Sequence, residues 1–349
     1  MIASHVFEKV CGINQPHPHQ EETLDACFYR ADFPLLLSAP CGTGKTEAAV
    51  APFLAQFLEG DFRIAPRLIY VLPTRALCNQ LGQRLRCYAK RMDPLIRVEV
   101  HHGGHLEDAF FMADIVVTTL DQFVYGYART TSLVGGHLEA PAGSIANSVV
   151  VLDEAHMYQS PYTFSIVRAM LGILNAARVP VVIMTATMPP SLLKDFEEEF
   201  TRTGEPLAKV EGTDVRQRSL HVTPEPAALV TDGGLHPLAM ERLRSATRAL
   251  VVLNQVKRAQ AAFRALREAG IEATLVHARF TAADRRRLES RIAAALGRND
   301  RAGGVVVSTQ VCEAGLDISA DLLLTELAPA DSLVQRMGRC ARWEGEGKG

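Results

Sequence analysis

Long hydrophobic runs are missing from this 349-residue sequence. A helix needs about 20 consecutive apolar residues to cross a bilayer, and apolar runs such as residues 179–184 are far shorter. The first residues also lack the cationic start and apolar core of a secretory signal. These absences predict a cytoplasmic protein with no membrane partner.

Cysteine pairs and an excess of one charge are missing as well. The seven cysteines form no C-x-x-C pair and lie in no histidine-rich metal-binding spacing. Their odd number and scatter favour reduced thiols over a disulfide framework. Because 37 Lys and Arg residues nearly balance 39 Asp and Glu residues, any surface that binds an acidic polymer must be local.

A glycine-rich segment follows the short apolar run at residues 35–37. It has the sequence A-P-C-G-T-G-K-T at residues 39–46, with alanine where such loops usually have their first glycine. Glycines let successive backbone N–H groups point at one anion, and a helix beginning there turns its positive end to the same spot. Lys45 would add charge for the outer phosphates, and the Thr46 hydroxyl would bind Mg²⁺. We therefore predict a nucleoside triphosphate site that comprises Pro40, Cys41, Gly42, Thr43, Gly44, Lys45, Thr46 and Glu47.

Two carboxylates follow a buried strand further along the chain, in the segment V-V-V-L-D-E-A-H at residues 149–156. Polar residues at the carboxyl end of such a strand lie at the ligand crevice of a parallel sheet. Asp153 would hold Mg²⁺, and Glu154 would orient and deprotonate an attacking water. An Asp-Glu pair after a strand is often only a solvated turn, but the upstream phosphate loop favours the catalytic interpretation.

Short apolar runs alternate with helical periods, which is the pattern of parallel α/β sheets. We predict strands over Leu35–Ser38, Arg67–Leu72, Val98–Val100, Asp114–Val117, Val149–Leu152, Val181–Met184, Leu250–Asn254, Ile271–Val276, Gly304–Ser308 and Leu322–Glu326. Helices are expected over Glu47–Leu58, Ala76–Arg91, Lys257–Ala269, Arg285–Leu296 and Ser332–Arg342. Glu197–Glu199 is expected to be a solvated helix face. The pattern is interrupted by a connector at 201–236 and predicts two domains, residues 1–211 and 212–349.

The D-E-A-H motif at 153–156, together with A-x-x-G-x-G-K-T at 39–46, resembles the superfamily 2 helicases. The resemblance implies two tandem RecA-like domains with mostly parallel sheets and ATP between them. It implies adenine recognition by Gln20, catalysis by Gln335 and by Arg339 and Arg342 as arginine fingers, and nucleotide contacts by Gly315 and Asp317, although Asp317 is equally compatible with a loop cap. Implied nucleic-acid contacts are Thr74, Arg75, Thr118, Thr119, Asn254, His277, Arg279 and Thr309. Coupling of hydrolysis to movement is implied for His156, Thr185 and Thr187.

Three longer segments, at 145–154, 277–280 and 309–317, are similar to the CRISPR-associated helicase of type I systems. That family uses ATP and Mg²⁺ to move along single-stranded DNA after a Cascade-type surveillance complex recruits it. The resemblance covers the helicase core, so the second domain is expected to lack its last strand and any C-terminal domain. A histidine–aspartate nuclease would then be a separate subunit. Aromatic residues are only 6% of the chain, so base stacking is not expected to dominate binding.

Two other functions remain open at this point. One is a superfamily 2 RNA helicase or a DNA repair or restriction translocase, because phosphate contacts do not detect the 2′-hydroxyl. The other is a clamp that binds nucleic acid under the control of ATP without hydrolysing it. The presence of Lys45, Asp153, Glu154, Arg339 and Arg342 argues against the clamp.

Overall fold

The computed structural model describes residues 2–103, 105–131, 133–158, 160–186, 188–213, 220–231, 234–298, 302–313 and 318–342. The chain divides into two compact units, Met1–Asp214 and Val215–Gly349. No helix among the described residues is long and apolar enough to cross a membrane, and none of the seven cysteines is in a disulfide.

The first unit is built on one sheet of eight described strands in the order β4-β3-β5-β2-β6-β7-β1-β8. All neighbours in this sheet are parallel except β3 and β4. The strands are β1 Leu35–Ser38, β2 Arg67–Leu72, β3 Val98–His102, β4 His105–Leu106, β5 Ile115–Thr119, β6 Ser148–Leu152, β7 Val181–Thr185 and β8 Ala208–Glu211. Fully buried apolar strands of this kind require cover on both faces.

Helices supply that cover, with one buried apolar cluster on each face of the sheet. They are α1 Ile2–Ser4, α2 Pro18–Leu24, α3 Lys45–Glu59, α4 Arg75–Met92, α5 Leu120–Tyr127, α6 Glu139–Ala146, α7 Pro161–Ala176 and α8 Pro190–Thr203. Two π-helical segments, His5–Cys11 and Asp25–Arg30, and one 3₁₀ turn, Ala155–Tyr158, complete the described elements of the unit.

The second unit repeats the plan on a smaller scale. Its parallel sheet has the described order β12-β13-β11-β14, with strands β11 Arg248–Val252, β12 Ala273–Val276, β13 Gly304–Ser308 and β14 Leu322–Thr325. A short antiparallel pair, β9 Val230–Thr231 and β10 Gly234–Leu235, precedes it. The helices are α9 Pro237–Ser245, α10 Val256–Glu268, α11 Ala282–Leu296 and α12 Ala330–Met337, with a 3₁₀ turn at Gln310–Cys312.

Three expectations need correction. The last helix ends at Met337 rather than at Arg342, because Gly338 follows and the chain then pairs at Cys340 with Ala320. Arg339 and Arg342 are therefore beyond the helix. The connector was expected to carry short strands, and it does contain β8, but this strand belongs to the first sheet beside β1 instead of to a linker.

Glu199 is the third correction. It is only 4% exposed, and its carboxylate accepts a hydrogen bond from Arg168 at 2.9 Å and a second one from Arg202. The solvated-face prediction is therefore wrong at this residue.

Candidate nucleotide-binding site

The predicted phosphate loop connects β1 to α3. Gly42 and Gly44 have φ angles of 78° and 77°, in the left-handed region that glycine adopts without steric cost. Helix α3 begins at Lys45, directly after Gly44. The loop thus presents a helix N-terminus at the carboxyl end of a buried parallel strand, where an anion is favoured.

Lys45 bends back over the loop. Its Nζ donates hydrogen bonds to the carbonyl oxygens of Ala39 at 2.7 Å and Pro40 at 3.1 Å. The Thr43 hydroxyl donates to the same Pro40 oxygen at 2.9 Å. The ammonium group is thus held within the loop by neutral acceptors, which a phosphate oxygen would outcompete as a charged partner.

Residues before β1 brace this loop from the side. The Gln20 amide donates to the Gly44 carbonyl at 3.0 Å and accepts from the His17 backbone at 2.8 Å. A His19 ring nitrogen lies 3.0 Å from the Thr43 carbonyl, and burial lowers the pKa of His19 to about 4. Gln20 thus supports the phosphate loop through its side-chain amide.

Glu47 lies in the first turn of α3 and is 6% exposed. Its carboxylate accepts hydrogen bonds from the Tyr88 phenol at 2.7 Å and from Arg84 at 3.1 Å. Both partners belong to α4, so Glu47 fixes the start of α3 against the neighbouring helix.

Asp153 follows β6 and is 9% exposed. Its Oδ2 accepts from the Tyr70 phenol at 2.7 Å, and its Oδ1 accepts from the Glu154 backbone N–H at 2.7 Å. Burial, and then the charge of Glu154, raise the pKa of Asp153 to about 6, while the nearby Lys45 charge opposes this shift. The structure thus brings the phosphate-loop lysine and the Asp153 carboxylate into one electrostatic site.

Glu154 has a φ of 53°, which is uncommon for a residue with a side chain and typical of functional positions. Among the described residues, its buried Oε2 has no hydrogen-bond partner, although His156 Nδ1 lies 3.5 Å away. The same His156 nitrogen is 3.1 Å from the Thr185 hydroxyl at the end of β7. The predicted coupling residues His156 and Thr185 are therefore in contact, and Thr187 lies outside the described residues.

These groups fit a magnesium nucleotide. Asp153 is a buried carboxylate, and Glu154 Oε2 accepts no hydrogen bond among the described residues, so both could act as acceptors toward a cation and its water. No cluster of three or more His, Cys, Asp or Glu that could hold a metal occurs in the described part of the chain.

The predicted nucleic-acid contacts of the first unit fall into two groups. Thr74 is the N-cap of α4 and Arg75 is exposed, with its guanidinium against Gly103. Thr118 and Thr119 are 0% and 4% exposed at the end of β5. Thr74 and Arg75 are thus accessible, whereas Thr118 and Thr119 are covered.

In the second unit, the predicted residue Asn254 belongs to a polar network around the buried Arg336. Arg336 is 1% exposed and donates to Glu313 Oε1 at 2.7 Å, Thr325 Oγ1 at 2.8 Å and Asn254 Oδ1 at 2.9 Å. The Asn254 amide also donates to the Leu327 carbonyl at 2.8 Å. Asn254, predicted to contact nucleic acid, is therefore engaged in joining β11 to α12.

The predicted arginine finger Arg339 is 7% exposed. It donates to the backbone carbonyls of Cys312 at 3.0 Å and Glu313 at 2.5 Å. Gln335 is 6% exposed, and the Arg342 backbone N–H donates to the Ser319 hydroxyl at 2.9 Å. Gly315 and Asp317 lie outside the described residues.

The other predicted contacts of this unit differ in exposure. His277 and Thr309 are 5% and 3% exposed, and the His277 ring stacks on Phe280 at 4.3 Å. Arg279 is exposed in the turn after β12.

Two models of known protein families match this chain. Residues 17–196, more than half of it, match the family model of the DEAD/DEAH box helicases. The chain belongs to this helicase family. Residues 245–345 match a second model, described as CRISPR-associated nuclease/helicase Cas3, C-terminal.

Individual relatives agree with these matches. A CRISPR-associated helicase Cas3 of Thermoproteus tenax is 32% identical over 96% of this chain and 58% of its own length. The crystal structure of T. fusca Cas3 with AMPPNP has a TM-score of 0.75 at 22% identity, covering 97% of this chain and 45% of that chain. A CRISPR RNA-guided surveillance complex in a pre-nicking state has a TM-score of 0.66 at 26% identity, with coverages of 94% and 42%. The chain spans about half the length of the curated relatives that it matches.

The predicted fold class, the superfamily 2 helicase fold with RecA-like domains, is confirmed by these likenesses. The helicase motifs were recognisable because each is contiguous in sequence. Tyr70, Tyr88, Glu313 and Arg336 were missed as supports of the site, because their partners lie 83, 41, 23 and 23 residues away. The available signal for Tyr70 was a polar hydroxyl among the apolar residues 68–72 of β2.

Proposed function

We propose that this chain hydrolyses ATP with Mg²⁺ and uses the energy to move along single-stranded DNA in CRISPR interference. The observation that carries the proposal is the meeting of Lys45, Asp153 and Glu154 at the carboxyl ends of parallel strands in the first unit. Phosphoryl transfer to water requires a loop that binds the phosphates, a ligand for the metal and a carboxylate that activates the water.

Each residue would act as follows. Backbone N–H groups of the phosphate loop and Lys45 would bind the phosphates, with Lys45 exchanging its carbonyl partners for phosphate oxygens. Asp153 and the Thr46 hydroxyl would hold Mg²⁺, which when bound neutralises charge on the phosphates. Glu154 Oε2 would accept the proton of the attacking water.

The second unit would complete catalysis through Arg339 and Arg342. An arginine finger contributes roughly 10³–10⁵-fold to phosphoryl transfer. Because Arg339 donates to the Cys312 and Glu313 carbonyls, it would have to leave these acceptors to reach a γ-phosphate. Hydrolysis would then depend on rearrangement of the segment at 312–313, and His156 and Thr185 would relay the change.

Nucleic-acid binding would begin at the accessible residues Thr74, Arg75 and Arg279. Hydroxyl and guanidinium groups that contact phosphates do not read base identity, so binding should be insensitive to sequence. The covered residues Thr118, Thr119, His277 and Thr309 would contribute by shaping the strand ends. The half-buried Asn254 would do so through its hydrogen bonds to Arg336 and Leu327.

The CRISPR assignment rests on the relatives named Cas3 and on the likeness to a chain of a surveillance complex. We infer a Cascade-type complex as partner and a histidine–aspartate nuclease as a further candidate, acting in the cytoplasm.

The proposal is tested by ATPase stimulation with single-stranded DNA and RNA of equal length and sequence. We expect the larger stimulation with DNA. Larger stimulation by RNA would favour an RNA helicase and reject the CRISPR assignment.

A further inference from the structure

We propose that Tyr70 is a positioning residue for the magnesium site, an inference that rests on the proposed ATPase function. Tyr70 is 0% exposed in the middle of β2, and its phenol donates to Asp153 Oδ2 at 2.7 Å. The hydroxyl of Tyr70 therefore holds the carboxylate that is proposed to bind Mg²⁺.

The sheet register explains how the phenol reaches this place. Tyr70 pairs with Val151 of the neighbouring strand β6, and the Asp153 backbone N–H donates to the Val71 carbonyl at 3.0 Å. Side chains two residues apart on a strand share a face, so Val151 and Asp153 point to the side on which Tyr70 lies. The ring packs in the apolar cluster on that face with Leu37 and Val151.

The phenol restricts the orientation of the carboxylate. Asp153 Oδ2 is held by Tyr70 and Oδ1 by the Glu154 backbone N–H, so the carboxylate plane is fixed from both sides. Each carboxylate oxygen can accept a second interaction, which leaves one direction per oxygen for a cation or its water. Hydrogen bonds of this kind to a metal ligand change metal affinity by about 10- to 100-fold.

Tyr158 supplies a matched comparison on the same aspartate. It is 2% exposed, and its phenol donates at 3.3 Å to the backbone carbonyl of Asp153 instead of the carboxylate. Removing either hydroxyl deletes one buried hydrogen bond to Asp153, but only the Tyr70 bond orients the oxygens proposed to bind the cation.

The test measures binding of a fluorescent ADP analogue to the full chain while Mg²⁺ is titrated. In Tyr70→Phe we expect the half-saturating Mg²⁺ concentration to rise about tenfold, with affinity in EDTA unchanged within twofold. Tyr158→Phe should keep the half-saturating Mg²⁺ concentration within twofold of the unmodified chain. A Tyr70→Phe protein with an unaltered Mg²⁺ requirement, or an equal rise in both variants, would overturn the inference.

A double-mutant cycle with Asp153→Asn separates positioning from a general effect on the fold. In the Asp153→Asn background, Tyr70→Phe should change the Mg²⁺ requirement by less than about twofold. A further tenfold rise there would show that Tyr70 acts elsewhere and overturn the inference. If the unmodified chain shows no Mg²⁺-dependent gain in nucleotide binding, the proposed function itself fails, and the inference with it.

Discussion

Asp153 has a pKa that burial and the charge of Glu154 raise to about 6. The structural reason is that Asp153 follows a fully buried strand and is itself buried, so its ionised form loses most of its hydration. Since the ionised form is the one that binds a cation, a proton and Mg²⁺ compete for this residue.

This competition predicts a pH-dependent Mg²⁺ requirement. A pKa of about 6 predicts that Asp153 is mostly ionised at pH 7.5 and mostly protonated below about pH 6, where the cation must displace the proton. The half-saturating Mg²⁺ concentration for nucleotide binding should therefore rise roughly tenfold per pH unit below that value. Calorimetric titration between pH 5 and pH 8 measures this. The same slope in Asp153→Asn would assign the effect to another group and contradict the account.

The roles of some residues could be predicted from the sequence, whereas the surroundings of others could not. Lys45, Asp153 and Glu154 lie in contiguous motifs, and the residue types and spacing of each motif indicate the chemical role of these side chains. Glu199 was misjudged, because three successive glutamates on a helix are usually solvated, whereas here Arg168, 31 residues earlier, covers the carboxylate. Contacts of this range depend on the packing of α7 against α8, which the local pattern does not contain.

At the scale of elements, the strands were the most predictable part. The bounds of β1, β2 and β13 coincide with the predicted runs, because a buried parallel strand is a continuous apolar run between polar turns. The prediction extended the last helix too far, because the apolar period of the sequence continues past Gly338. The backbone instead leaves the helix there and pairs with Ala320. A tertiary pairing decided that boundary.

The link between β11, α12 and the segment after β13 depends on the buried Arg336–Glu313 pair, whose side chains are 1% and 15% exposed. Glu313→Gln would leave the Arg336 charge without its carboxylate and should destabilise the second unit by about 3 kcal/mol. Urea unfolding of the full chain, followed by probes in each unit, measures this loss.

Glu272→Gln provides the control for that substitution. Glu272 is 95% exposed in its side chain and lies 3.9 Å from Arg291, so its loss should cost less than about 1 kcal/mol. Equal stability of the two variants would contradict a structural role for the Arg336 network.

At the scale of the whole molecule, two RecA-like units supply different parts of one proposed reaction. In the proposed function the first would provide the phosphate loop and the carboxylates, and the second would provide Arg339 and Arg342. Sequence order alone indicated this division, because helicase motifs occur in a fixed succession. The hydrogen bonds from Arg339 to the Cys312 and Glu313 carbonyls could not be predicted, since these residues become neighbours only after folding.

The most direct test of the account is phosphate release from ATP by the full chain, with and without single-stranded DNA. We predict DNA-stimulated release with Mg²⁺, its loss by about 10²-fold or more in Lys45→Ala, and a Glu154→Gln protein that still binds ATP and DNA but does not turn over. An unmodified chain that binds both ligands and releases no phosphate would contradict the account and favour the ATP-gated clamp.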